Sequence, residues 1–199
     1  MSARAGWAPA DLARVYLEGG AQLIQIRAKP LASGPLLTLC DTIVQMAVPY
    51  KASVIVNDRA DLAVLAGAAG VHVGQDDLAP AAARRLLGAD AIVGFSTHTV
   101  KQIDAARVEP ISYLAVGPVF GTRTKDTGYA AVGLDLVSTA ARLAGSVAVV
   151  AIGGITLDTA LSVIGAGATS VAVIGDLLAT GDPRGRVAAY LQRLAQHRV

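Results

Sequence analysis

VAVVAIGGITLDTALSVIGAGATSVAVIGD, residues 147–176, is the stretch on which the fold turns. Val147 to Gly153 and Ser170 to Gly175 are short, nearly continuous apolar runs, and a glycine-bearing turn leads from the first into a helical segment. Strands that do not alternate between apolar and polar residues read as strands covered on both faces, which is the pattern of a parallel sheet flanked by helices. The same alternation of Val/Ile-rich runs and Ala/Leu-rich segments extends outward from Ala10 to the end of the chain. Five more strand candidates precede these two: Gln22 to Arg27, Ser53 to Asp58, Gly70 to Gln75, Ile92 to Ser96 and Tyr113 to Gly117.

Between strands, Pro35 to Val48 places Leu36, Cys40, Ile43, Val44 and Ala47 on one helical face, and Pro9 to Glu18 starts with Pro and stops at Gly19. Cys40 lies on the apolar stripe and reads as a packing residue. With strand starts recurring and no linker or low-complexity tract between them, the 199 residues read as one domain, residues 1–199. Parallel strands joined by helices can close into a barrel or remain an open doubly wound sheet. Polar residues gather at the C-terminal ends of nearly all the strands, which suits a ring of loops around one pocket and favours an α/β TIM (β/α)8 barrel. The first strand of such a barrel is missing. Met1 to Ala8 shows no strand pattern, and the chain enters its first helix by Pro9.

Composition excludes other classes. Hydrophobic residues make up 53% and charged residues 16%, so most segments are buried and disorder is excluded. A net charge of +2 gives no basic field for a nucleic-acid duplex, and the few aromatics do not interleave with basic clusters. No apolar run reaches membrane-spanning length, and Met1 to Pro9 lacks the apolar stretch of a secretory signal. The single cysteine allows no intrachain disulfide, which suits a cytoplasmic protein.

The polar strand ends carry the chemistry. Gln25 and Arg27 fall on one side of their strand, with Lys29 just beyond. An Arg fork beside a Lys ammonium suits a multiply charged phosphate, although a neighbouring carboxylate would also satisfy the Arg. Asn57 and Asp58 end the next strand, and Asp77 follows the one after. Asp58 and Asp77 are candidate ligands for a Mg²⁺ shared with a diphosphate, and equally candidates for helix caps. Ser96 and His98 follow a strand with no nearby carboxylate to make a catalytic triad, and His72 reads as a satisfied core residue. Thr122, Thr124 and Lys125 follow Gly117-Pro118-Val119-Phe120-Gly121 on a loop that could cross the mouth. The turns at Gly153-Gly154 and Ile174-Gly175 form a second candidate phosphate site, since glycine lets backbone N–H groups approach an anion, though such turns also serve steric ends.

Together, Gln25-Ile26-Arg27-Ala28-Lys29, Val56-Asn57-Asp58-Arg59, Gly70-Val71-His72-Val73-Gly74-Gln75-Asp76-Asp77, Gly94-Phe95-Ser96-Thr97-His98-Thr99, Gly117 through Lys125 and Ala151-Ile152-Gly153-Gly154-Ile155 resemble the thiamine-phosphate synthase family, in order, from about Pro9 onward. The resemblance implies a transferase that joins 4-amino-2-methyl-5-(diphosphomethyl)pyrimidine to 4-methyl-5-(2-phosphoethyl)thiazole and releases diphosphate. It also implies Mg²⁺ on Asp58 and Asp77. Gln25, Arg27, Lys29 and Asn57 would bind the pyrimidine diphosphate, Ser96 the pyrimidine side, and Lys125 the diphosphate. Thr122, Thr124, Gly153, Gly154, Ile174 and Gly175 would hold the thiazole phosphate. Arg27, Lys29, Ser96 and Lys125 are the catalytic candidates. Where the family often has Ser in the last phosphate turn, this chain has Gly175. The inventory contains no convincing nucleophile or general base, which agrees with a dissociative alkyl transfer in which the leaving group departs first. Partners are then small molecules, with a homo-oligomer possible. A related thiazole tautomerase would need neither the cations nor the carboxylates, and a non-catalytic phosphate-binding barrel would bind without turnover.

Overall fold

The computed structural model describes residues 6–121 and 128–196. The elements are α1 (Pro9–Glu18), β1 (Leu23–Ile26), α2 (Ser33–Ala47), β2 (Ser53–Asn57), α3 (Ala60–Leu65), β3 (Gly70–Val73), α4 (Pro80–Leu87), β4 (Ile92–Thr97), α5 (Val100–Ala106), β5 (Tyr113–Val116), α6 (Gly133–Leu143), β6 (Ala148–Ile152), α7 (Ala160–Gly165), β7 (Ser170–Ala172) and α8 (Pro183–Ala195). Short 3-10 turns occupy Val48–Tyr50 and Asp176–Leu178. All seven expected strands form. They pair in parallel in sequence order from β1 to β7, with Leu23 opposite Ser53 at the start and Ile152 opposite Ala172 at the end.

Strands β2 to β5 bury one side against helices and the other inside the curl. On β1 the outward Ile24 and Ile26 join a cluster with Leu12, Leu17, Leu36, Ile43, Val54 and Val56. Leu36, Cys40, Ile43 and Ala47 are the buried face of α2, spaced by three and four residues, as its apolar periodicity predicts. Full burial of a side chain such as Ile43 contributes roughly 1.5–3 kcal/mol, so this face outweighs the lack of a side-chain cap at the start of α2. The opposite parity points inward: Ile55, Tyr113 and Ala115 pack together with Ile92, Ala148 and Val150. Gln25 is the register partner of Ile55 and therefore lies on this inner side.

The sequence predicts a (β/α)8 barrel without its first strand, and the described residues agree with the missing strand. They form a seven-stranded curled sheet, a TIM-like barrel lacking one strand, with no pairing between β7 and β1. Among the described residues before Pro9, Trp7 alone makes a bridge, and one residue cannot build a strand. Helices close the seam instead. Val187 of α8 joins the cluster around Leu12 and Leu17 of α1, and a Cβ on Gly19 would lie 2.7 Å from the Arg184 carbonyl oxygen. Glycine at the end of α1 is what admits α8 so closely. Among the described residues, no helix is long and apolar enough to cross a membrane.

Candidate active site

The inner residues at the C-terminal ends of β1 to β3 converge. Lys29 Nζ lies 2.8 Å from Asp58 Oδ2. Asp58 takes a left-handed backbone conformation, φ 65, directly after β2, and its N–H donates to the His72 carbonyl at 2.8 Å. Asp77 Oδ2 accepts the Gly74 N–H at 2.8 Å, and the Asp58 and Asp77 carboxyl groups are close enough for each to perturb the other's ionisation. Neither aspartate caps a helix: Arg59 and Ala79 occupy the N-cap positions of α3 and α4, without side-chain caps. The capping alternative therefore falls, and what remains is a carboxylate pair beside two cations.

The electrostatics of the pair are uneven. Burial works against ionisation of Asp58, yet the hydrogen bond from Lys29 and the nearby Arg27 charge outweigh it and hold the group below the usual carboxylate range. Burial, together with the charge of Asp58, raises Asp77 despite the Gly74 N–H. Two carboxyls this close resist double ionisation, and a divalent cation relieves that repulsion. No group of three or more His, Cys, Asp or Glu side chains arranged for a metal occurs among the described residues. Mg²⁺ bound by one or two carboxylates takes its remaining oxygens from water and phosphate, so a two-carboxylate set suits an ion shared with a ligand. Arg27 supplies a second sign of such a ligand, because its Nε is buried without a hydrogen-bond partner.

Beneath the mouth runs a polar chain that sequence spacing does not reveal. Tyr113 hydrogen-bonds Gln25, its hydroxyl lies 2.8 Å from His72 Nδ1, and His72 Nε2 lies 2.8 Å from Ser96 Oγ. Burial pushes the Tyr113 phenol above its ordinary range, against the pull of Gln25, so it remains protonated. Gly94 makes room for the ring: a Cβ there would lie 2.1 Å from Tyr113 Cζ. His72 is indeed a buried, satisfied residue, but it is satisfied by Ser96 and thus tied to the site. The available signal was its parity, since it pairs in register with Asn57 and Gly94 on the inner side. Ser96 also accepts at its carbonyl from Gln75 Nε2, at 2.6 Å. His98 lies apart from this chain, with Nδ1 on the Gly117 carbonyl and its ring stacked on Tyr129.

Across the mouth, β6 runs into Gly153 and Gly154, both at positive φ. A Cβ on Gly153 would lie 2.5 Å from Pro118 Cα, and one on Gly154 2.6 Å from the Gly121 carbonyl oxygen. The turn is thus glycine for a steric reason, being pressed against the loop that leads to 122–127. Thr122, Thr124 and Lys125 lie outside the described residues. β7 ends earlier than expected, at Ala172. Ile174 is exposed, and Gly175 has ordinary helical dihedrals, φ −66 and ψ −42, as it begins the 3-10 turn.

A parallel curled sheet that gathers cations, paired carboxylates and glycine turns at one end defines a TIM-like barrel of the phosphate-handling class. The family described as thiamine monophosphate synthase matches residues 5–177. A thiamine-phosphate synthase of Koribacter versatilis is 44% identical over 92% of this chain and 84% of its own length, and one of Anaeromyxobacter dehalogenans is 44% identical over 90% and 80%. A solved thiamine phosphate pyrophosphorylase from Pyrococcus furiosus superposes with a TM-score of 0.90 at 27% identity, covering 100% of this chain and 95% of the other. The chain belongs to the thiamine-phosphate synthase family, a family of transferases.

Proposed function

We propose that this chain forms thiamine phosphate by transferring the pyrimidinylmethyl group of 4-amino-2-methyl-5-(diphosphomethyl)pyrimidine to the nitrogen of 4-methyl-5-(2-phosphoethyl)thiazole: the bond from the 5-methylene carbon to diphosphate oxygen breaks, diphosphate leaves, and that carbon bonds to the nitrogen. The observation that carries the reading is the joined group Lys29, Asp58 and Asp77 beside the unpartnered Arg27 Nε. Gln25, Arg27, Lys29 and Asn57 bind the pyrimidine diphosphate, and Asp58 and Asp77 hold Mg²⁺. When bound, that ion neutralises charge developing on the diphosphate oxygens. Arg27 and Lys29 do the same from the protein side, in a geometry fixed before the substrate arrives. Ser96, braced by His72, orients the pyrimidine so that the breaking bond faces the incoming ring. The glycine turns at Gly153, Gly154, Ile174 and Gly175 hold the thiazole phosphate with Thr122 and Thr124, while Lys125 reaches the diphosphate. The nitrogen lone pair needs no general base, and the aminopyrimidine ring spreads the positive charge left as the diphosphate departs, so alignment of two rings is the protein's main task. One domain and a cytoplasmic setting belong to the same reading.

The test is incubation of the purified chain with both substrates and Mg²⁺, followed by detection of thiamine phosphate. Product is expected with Mg²⁺ and not in chelator. Asp77→Ala is expected to lower turnover at least about a hundredfold, an electrostatic effect of the size seen when a transition-state stabilising group is removed. Full activity of Asp77→Ala in Mg²⁺ refutes the metal assignment, and isomerisation of a thiazole without diphosphate release marks the tautomerase instead.

A further inference from the structure

The two glycine turns across the mouth come from different strands, and one side chain spans them. Asp176 follows Gly175 directly. Its Oδ2 accepts the backbone N–H of Leu157, just past the Gly153-Gly154 turn, at 3.2 Å. Arg186 of α8 forks onto the same carboxylate, Nε to Oδ2 at 3.0 Å and Nη2 to Oδ1 at 3.1 Å. The Tyr190 hydroxyl donates to Oδ2 at 2.6 Å and also faces the Ile155 carbonyl at 3.5 Å. The Asp176 and Arg186 side chains keep only 11% and 19% of their exposure, so the pair is shielded from solvent and its geometry is held firmly. Burial, followed by the neighbouring Asp176, pushes the Tyr190 phenol upward, so it stays a donor.

A phosphate gripped by backbone N–H groups from two turns is sensitive to the distance between those turns, because such hydrogen bonds weaken steeply with length and angle. Gly153, Gly154 and Gly175 have no side chain to set that distance, and Ile174 is exposed. We propose that Asp176, held by Arg186 and Tyr190, is the positioning residue that fixes the spacing of the two glycine turns and thereby gives the site its preference for a phosphorylated thiazole over the corresponding alcohol. The inference rests on the assignment of the thiazole phosphate to these turns.

The experiment measures steady-state kinetics on the full chain for wild type, Asp176→Ala and Tyr190→Phe, varying each substrate in turn. A calorimetric titration with the phosphorylated thiazole alone, and with its alcohol, runs alongside. In Asp176→Ala the KM for the phosphorylated thiazole is expected to rise about tenfold, with its Kd following, while KM for the pyrimidine diphosphate and Kd for the alcohol move less than about twofold. Tyr190→Phe, which keeps the ion pair and the packing, is expected to show the same pattern at about threefold. Equal loss for both substrates, or no change for either, overturns the proposal and leaves Asp176 a purely structural brace. If the wild type makes no product, the functional reading fails, while the contrast between phosphate and alcohol in the titration still decides the role of Asp176.

Discussion

Cys40 has no exposed surface, and burial, then the neighbouring Asp41 charge, pushes its thiol up to about 11 from an unfolded value of 9.0. A group whose folded pKa is raised supports the fold fully below its unfolded pKa, and that support disappears as pH rises through the folded value. Stability is therefore predicted to fall by roughly 2–3 kcal/mol between about pH 9 and pH 11 because of Cys40. Denaturation of wild type and Cys40→Ala across that range checks it: the variant should lack this part of the decline, and parallel curves would sink the idea. Tyr113 makes a different argument. Tyr113→Phe leaves His72 Nδ1 facing a void where a hydroxyl stood, at a cost of about 1–3 kcal/mol. With the imidazole no longer held, Ser96 loses its fixed partner, so kcat should fall while KM for the thiazole phosphate stays put. A variant with wild-type kcat would show that the chain from Gln25 to Ser96 plays no part in orienting substrate. Sequence spacing did not expose this chain, because His72 and Tyr113 stand 41 residues apart and meet only when the sheet curls.

At the scale of elements, the strands were legible because each is an apolar run, with β3 and β5 buried at every position, and α2 because Leu36, Cys40, Ile43 and Ala47 recur at helical spacing. The contact between α1 and α8 was not, since nothing in either helix alone says which neighbour its glycine admits. Gly19 gives that contact a direct test. A methyl there would meet the Arg184 carbonyl at 2.7 Å and Val187 Cβ at 2.9 Å, the first of them backbone that cannot rotate aside. Gly19→Ala is predicted to destabilise the protein by about 1–3 kcal/mol through overpacking, despite the better helix propensity of Ala. Chemical denaturation of the variant measures this, and a gain in stability would show that α8 is free to shift.

On the scale of the whole molecule, the sequence located both groups of polar strand ends and the missing first strand that leaves a seam between them. The Mg²⁺ and diphosphate assignment falls on β1 to β3, the thiazole phosphate assignment on β6 and β7, and among the described strands β1 and β7 are the edges of the sheet. The helices α1 and α8 cross that seam on the outside. On the inside, in the proposed reading, the ligands themselves would cross it, each anchored to one edge. A ligand held at 100 times its Kd stabilises a protein by about 2.7 kcal/mol, and each kcal/mol raises Tm by about 2–4 °C in a chain of this size. Either substrate alone, with Mg²⁺, should then raise Tm by about 5–10 °C. Two ligands that touch each other across the seam should do more than add, because the first orders the edge that the second needs. A slowly reacting pyrimidine diphosphate analogue, titrated with and without the phosphorylated thiazole in thermal denaturation, separates the cases. A joint rise no greater than the sum of the single ones means that the two anion sites act independently and that helix packing alone holds the seam.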